Sequence, residues 1–133
     1  MNTTEEYNAV IDYCRSLFVN KTKDYGTSWR IMRLSSITDQ LYIKAKRIRT
    51  LEIKQVSKVG EDIAGEYVAI INYCVIALMQ LEMGDEGEEN LDAAWVAQKY
   101  SDKVNETRDL MFAKNHDYGE AWRDMRISSI TDL

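Results

Sequence analysis

RSLFVNKTKDYGTSWRIMRLSSITD, residues 15–39, is written a second time as RDLMFAKNHDYGEAWRDMRISSITD at residues 108–132, with 15 of 25 positions identical at a constant offset of 93. A gapless repeat of this length marks duplicated units. Apolar core positions interchange among Leu, Ile, Val and Met at modest cost. The unchanged positions here are mostly polar or conformationally demanding: Lys21, Asp24, Tyr25, Gly26, Trp29, Arg30, Arg33, Ser35, Ser36, Thr38 and Asp39. Packing alone does not demand those residues.

Outward from this stretch the pattern is helical. There is no proline in the 133 residues, and strand-like alternation is hard to find. Thr3 and Glu6 have the spacing of a capping box. Tyr7, Val10, Ile11, Cys14, Leu17 and Phe18 then mark one face of a helix, which Gly26 is placed to end. The segment TSWRIMRLS is not periodic. Ser36 with Asp39 predicts the start of a second helix, with Ile37, Leu41, Ala45, Ile48 and Leu51 as its stripe. A turn at 57–60 leads to a third helix over about 61–82, predicted to face inward through Ile63, Tyr67, Ile70, Ile71, Cys74, Leu78 and Leu81. Residues 84–89 (GDEGEE) read as a solvated linker, and a fourth helix over about 91–114 leads into the second copy.

The predicted fold is therefore all-α, a helical bundle built from a tandem repeat. Residues 1–84 form the first unit, 85–96 the acidic linker and the start of helix four, and 97–133 the second unit. Nothing after Asp132 matches 41–83, so the second unit is expected to be a shortened version of a two-unit plan. Its lone helix is expected to bury Trp95, Leu110 and Met111 against the first unit or another chain, since helices rarely stand alone in water. A homo-oligomer is anticipated on that ground.

The net charge of −5 argues against direct nucleic-acid binding, which normally uses a basic surface. The acidity is uneven. Residues 84–89 hold four acids and no base, whereas 44–54 (KAKRIRTLEIK) hold five bases and one acid. That basic run either faces a phosphate or is a solvated helix face. Cys14 and Cys74 sit on apolar stripes without metal spacing and read as small buried hydrophobes in a reduced, cytoplasmic setting. The first ten residues lack the basic and apolar regions of a signal peptide. The longest strongly apolar stretch, 67–81, reads as too short and interrupted to span a bilayer, so no membrane role is expected.

Two constellations carry candidate chemistry. The first is K-x-x-D-Y-G-x-x-W-R-x-x-R at 21–33 and again at 114–126. A glycine-permitted turn precedes an indole and two guanidinium groups, which helical spacing would place side by side. Tyr25 and Trp29 suit base stacking, and paired Arg30 and Arg33 suit a phosphate; Asp117, Trp122, Arg123 and Arg126 repeat the set. Alternatively Asp24 neutralises an arginine and pins the turn, with Trp29 a core aromatic. The second constellation places Asp39, Lys44 and Arg47 on helix two and Glu61, Asp62, Glu66 and Asn72 on helix three. Asp39, Glu61, Asp62 and Glu66 are candidate ligands for Mg²⁺, which takes oxygen ligands and bridges phosphates; otherwise they are a solvated first turn. Asn72, polar in an apolar run, either bonds between helices or contacts a ligand. His116 faces Lys23 across the repeat, so no catalytic role is common to that position.

The runs DYGxxWRxxRxSSxTDQ, IKAKRIRTLE and GEDIAGEYVAIINYCVIALMQLE resemble the bacterial and phage family called nucleotide modification associated domain 1, over nearly the whole chain. The third helix is also similar to the all-α nucleoside triphosphate pyrophosphatases of the MazG and dimeric dUTPase type. That likeness implies Mg²⁺ held among Asp39, Glu61, Asp62 and Glu66, with Glu66 as the base. The E-x-x-E and E-x-x-D pairs of those enzymes are not repeated: Gly65 and Ala69 stand three residues after Asp62 and Glu66, and Gln55 three after Glu52. The leading reading is a nucleotide-binding or nucleotide-processing protein in which Lys44, Arg47, Arg30 and Arg33 neutralise phosphates, with Lys21 among the substrate-binding residues of the repeated turn. The alternative is a non-catalytic helical scaffold acting through protein contacts.

Overall fold

A computed structural model describes residues 2–54, 62–84 and 87–133. Five α-helices and two short 3₁₀ turns follow one another, with no strand among the described residues: α1 (Thr3–Tyr25), a first elbow (Ser28–Ile31), α2 (Leu34–Lys54), α3 (Ile63–Met83), α4 (Ala93–Tyr118), a second elbow (Ala121–Asp124) and α5 (Ile127–Asp132). The chain is all-α, as its periodicity predicts.

Helix ends differ in detail from expectation. The capping box of α1 is Asn2 with Glu5, one residue ahead of Thr3 and Glu6. Asn2 Oδ1 accepts the Glu5 N–H at 2.9 Å, and Glu5 Oε2 accepts the Asn2 N–H at 3.3 Å. Asn caps at least as well as Thr, so the box forms at the first opportunity. Gly26 ends α1 at φ 65°, as predicted; its missing Cβ makes this left-handed position cheap. Helix α2 starts at Leu34, which places Ser36 inside the first turn rather than at the cap. The expected turn at 57–60 lies outside the described residues.

Helix α3 is central, packed on α2, α1 and α4, while α1 and α4 pack on each other. Phe18, Ile37, Val75, Ile76, Met79, Val96, Tyr100 and Val104 form the core with Trp29. The buried face of α3 is only partly the predicted one: Ile63, Tyr67, Ile70 and Ile71 are half-buried, with Ile71 against the core. Glu66, Val75, Ile76, Met79 and Gln80 are buried, whereas Cys74, Leu78 and Leu81 are exposed. Apolar on nearly every side, this helix has no periodicity to choose a face; its polar members choose it, because each needs a buried partner. Over its full 21 residues α3 is long and apolar enough to cross a membrane by length and composition, unlike 67–81 taken alone. Here Glu66, Asn72 and Gln80 tie it to its neighbours. Cys14 is buried as expected, and both cysteines are free thiols.

Helix α4 also covers itself with a different stripe. Val96, Tyr100 and Val104, spaced by four, face α1 and α3. Trp95 and Leu110 stay exposed and Met111 is half-buried. The Tyr100 ring stacks on Phe18 with centroids 4.9 Å apart. Its hydroxyl donates to Asn72 Oδ1 at 2.7 Å, and Asn72 Nδ2 donates to the Cys14 carbonyl at 3.1 Å. One amide thus joins α1, α3 and α4, which is the interhelical reading of Asn72. Burial holds the Tyr100 phenol well above its ordinary pKa, so it stays a donor.

Replacing Asn72 by Leu strands the Tyr100 hydroxyl in the core and should cost about 1–3 kcal/mol. Adding Tyr100→Phe should recover part of that loss. Urea unfolding of the two single variants and the double measures it; strictly additive losses would show that the two side chains are not coupled.

Candidate functional site

A cleft of about 620 Å³ opens between the C-terminal half of α1, the first elbow and the first half of α3. Its shape depends on how the elbow is held. After Gly26 the chain makes one 3₁₀ turn, Ser28–Ile31, and becomes extended at Met32 (φ −72°, ψ 131°). Gln80 of α3 reaches under this turn. Its Nε2 donates to the carbonyls of Arg30 and Met32 at 2.9 Å each and of Trp29 at 3.3 Å, while its Oε1 accepts from Arg30 Nη1. Thr27 closes the other side: its buried hydroxyl donates to the Glu89 carbonyl at 2.6 Å and accepts the Leu91 N–H at 3.1 Å. The linker is therefore fastened to the elbow, although Glu88 and Glu89 remain exposed.

Held this way, Trp29 forms part of the cleft wall with Phe18, Tyr25 and Tyr73. The Phe18 and Trp29 rings lie 6.2 Å apart at 42°. Lys21 and Lys44 bring positive charge to the lining, and Asp62, Glu66 and Asn72 complete its polar part. Seven of the sequence-predicted residues thus share one cavity: Lys21, Tyr25, Trp29, Lys44, Asp62, Glu66 and Asn72.

Glu66 is 3% exposed. Its Oε1 is paired with Arg47 Nη1, and Lys44 Nζ lies 3.5 Å from Oε2. A buried carboxylate needs such compensation, and Lys44 and Arg47, one turn apart on α2, supply it. The basic run thus splits, with Lys44 and Arg47 turned inward while Arg49 pairs with Asp132. Two buried polar atoms of the lining residues have no hydrogen bond: Glu66 Oε2 and Trp29 Nε1.

Among the described residues no group of three or more acids, histidines or cysteines stands together. Asp62 Oδ1 caps α3 through the Gly65 N–H at 2.8 Å, and Glu66 already balances two cations. Asp39 is exposed on α2 and is not part of the cleft lining; Glu61 lies outside the described residues.

Other predicted residues are placed elsewhere. Arg30 and Arg33 do not form a pair, because the 3₁₀ turn ends between them: Arg30 is 8% exposed against Gln80, and Arg33 is in solvent. Asp24 is exposed and off the cleft. In the second copy Asp117, Trp122, Arg123 and Arg126 are all exposed. Trp122 Nε1 donates to Asn115 at 3.3 Å, and Arg123 pairs with Glu6 at 3.0 Å and Glu120 at 2.9 Å. His116 is a surface residue 3.2 Å from Asp117. Gln80, Thr27 and Tyr73 escaped the sequence reading. Gln80 had a signal: like Asn72, it is a lone amide in an apolar run.

The family model described as Nucleotide modification associated domain 1 matches residues 21–81 and, in a second segment, 114–133, together more than half of the chain. The two segments begin at the equivalent lysines of the two copies. No curated protein and no solved structure matches the chain.

Gln80→Ala removes the acceptor of Arg30 Nη1 and the amide donor to the carbonyls of Trp29, Arg30 and Met32, and should destabilise the fold by about 3 kcal/mol. The urea midpoint should fall and Trp29 emission should shift to the red. An unchanged midpoint would mean that the elbow holds its shape without this amide.

Proposed function

The chain belongs to the nucleotide modification associated domain 1 family, and from that premise we propose that the cleft between α1, the first elbow and α3 binds a nucleotide. The base lies against the aromatic wall and the phosphates toward Lys21 and Lys44. One observation carries the reading: Trp29, whose buried indole N–H has no hydrogen bond, and Glu66, whose Oε2 has no hydrogen bond beyond the 3.5 Å ion pair with Lys44, line one aromatic-walled cavity. Buried polar groups nearly always have partners. The edge of a nucleobase presents both an acceptor and a donor, so it can satisfy both groups at once.

Size and charge agree with this assignment. Ligand pockets run from roughly 300 to 1,000 Å³, and this one lies within that range. Lys21 and Lys44 concentrate positive charge in a protein whose net charge is −5, as an anionic ligand requires. Lys44 lies at the long end of ion-pair distance from Glu66, so it can turn to a phosphate while Arg47 keeps the carboxylate balanced. Hydrolysis is not part of the proposal. Glu66 is committed to Arg47, and the described acids do not gather around a metal, so no base or Lewis acid is assigned.

A panel of nucleoside mono-, di- and triphosphates, with and without magnesium, should raise the melting temperature for at least one member. At a hundredfold excess over Kd the gain is about 2.7 kcal/mol. Trp29→Phe keeps the ring but loses the N–H, and should weaken binding about tenfold. A rise seen only with magnesium would return Asp62 and Glu66 to a metal-ligand role. No rise with any nucleotide would leave the cleft as a joint between helices.

A further inference from the structure

Two copies of one sequence meet different surroundings in this fold, and each shows what the other lacks. The backbones of the two elbows are nearly superimposable. Gly26 and Gly119 have φ of 65° and 62°, with ψ of −153° and −157°. Thr27 and Glu120, which open the two turns, have φ of −101° and −105°, with ψ of 50° and 48°. Yet Trp29 is 9% exposed under α3, whereas Trp122 is 39% exposed. The carbonyls of Trp29, Arg30 and Met32 are held by Gln80, while among the described residues no side-chain amide takes that place at Trp122, Arg123 and Met125. The second elbow therefore holds the backbone shape of the first without an equivalent of α3 over it among the described residues.

The segment SSITD shows the converse. In the second copy it lies on the first unit: α5 packs on α2, Thr131 Oγ1 meets the Tyr67 hydroxyl at 2.5 Å, and Asp132 pairs with Arg49. In the first copy Ser35, Ser36, Thr38 and Asp39 are exposed, and Thr38 bonds only within its own helix, to the Leu34 carbonyl at 3.0 Å. Contacts between equivalent units come in reciprocal pairs, with residue i on j matched by j on i. One half of such a pair is present here.

We propose that the second elbow and the exposed 34–39 segment are two parts of one docking site for a helical hairpin of the α2–α3 type. Its first helix carries Arg-x-x-Glu, as Arg49 and Glu52 do, to receive Thr38 and Asp39. Its second carries Val-Ile-x-x-Met-Gln, as residues 75–80 do, to cover Trp122 and bind the carbonyls of Trp122, Arg123 and Met125 as Gln80 binds those of Trp29, Arg30 and Met32. Within this chain α2 and α3 pack closely on each other, so one hairpin presents both determinants. An intact second copy does not meet the requirement, because its own α2–α3 pair already covers its own first elbow. Docking exchanges the surface pairs of Arg123 with Glu6 and Glu120, which are worth little in water, for a buried interface.

The test adds a synthetic peptide of residues 34–83, which contains no tryptophan, to the full chain carrying Trp95→Phe. A 1:1 complex should form in which Trp122 emission moves to the blue and its acrylamide quenching falls at least twofold. A Gln80→Ala peptide should bind at least tenfold more weakly, and so should the chain carrying Asp39→Lys. Unchanged quenching of Trp122, equal binding by the Gln80→Ala peptide, or a change confined to Trp29 would each overturn the proposal. Appending residues 41–83 after Leu133 provides a second format that needs no free peptide. Protection of Trp122 there supports the proposal, and its absence refutes it.

Discussion

The carboxamide of Gln80 is the constraint on which the rest of the arrangement depends. A four-residue 3₁₀ turn has poor hydrogen-bond geometry and little stability of its own. Here it carries a tryptophan and an arginine into the protein. One side chain from α3 satisfies three of the turn's carbonyls and receives the arginine. Trp29 is thereby fixed as a wall of the cleft, and Arg30 is withdrawn from it. Thr27 fastens the same turn to the linker, so the elbow is gripped from two sides.

The repeat separates what is written locally from what tertiary contact adds. Both elbows adopt one backbone, including the left-handed glycine, so that shape comes from the local sequence. The burial of tryptophan and arginine does not, for it appears only where α3 covers the turn. Electrostatics follow the same division. Arg30 lies in a low-dielectric pocket with an amide partner, whereas Arg123 answers exposed carboxylates at the surface. Around the cleft Glu66 is buried against Lys44 and Arg47, and Lys21 and Lys44 both reach the lining beside Asp62. An aromatic wall beside two lysines suits a ligand that is flat at one end and anionic at the other.

Much of the fold was legible beforehand. The helix pattern, Gly26 as a stop and the non-periodic TSWRIMRLS segment follow from spacing and from one glycine. The face of α3 was not legible, because apolar residues surround it and give no contrast; Glu66 and Gln80 determined it. On α4, Val96, Tyr100 and Val104, spaced by four, form the buried stripe in place of Trp95 and Leu110. In the site, Lys21 from the repeated turn, Lys44 from the basic run, and Glu66 and Asn72 from the third helix do meet in one cavity. Arg30 with Arg33 failed because i, i+3 adjacency presumes a continuing helix, and the turn ends at Ile31. Of the two readings open for Asn72, the link between helices is formed, while Gln80, the same kind of signal eight residues further along the apolar run, passed unnoticed.

The claim at the centre is that a nucleotide completes the unmet polar groups of the cleft. ¹H–¹⁵N spectra of the labelled chain, recorded through a nucleotide titration, test it most directly, because the Trp29 indole N–H has its own resonance. The account predicts that this resonance shifts downfield on binding, together with amides of α1 near Lys21 and of α3 near Glu66, while the Trp122 indole stays in place. Shifts confined to the exposed face of α2 or to the second elbow, with the Trp29 indole unmoved, would contradict it.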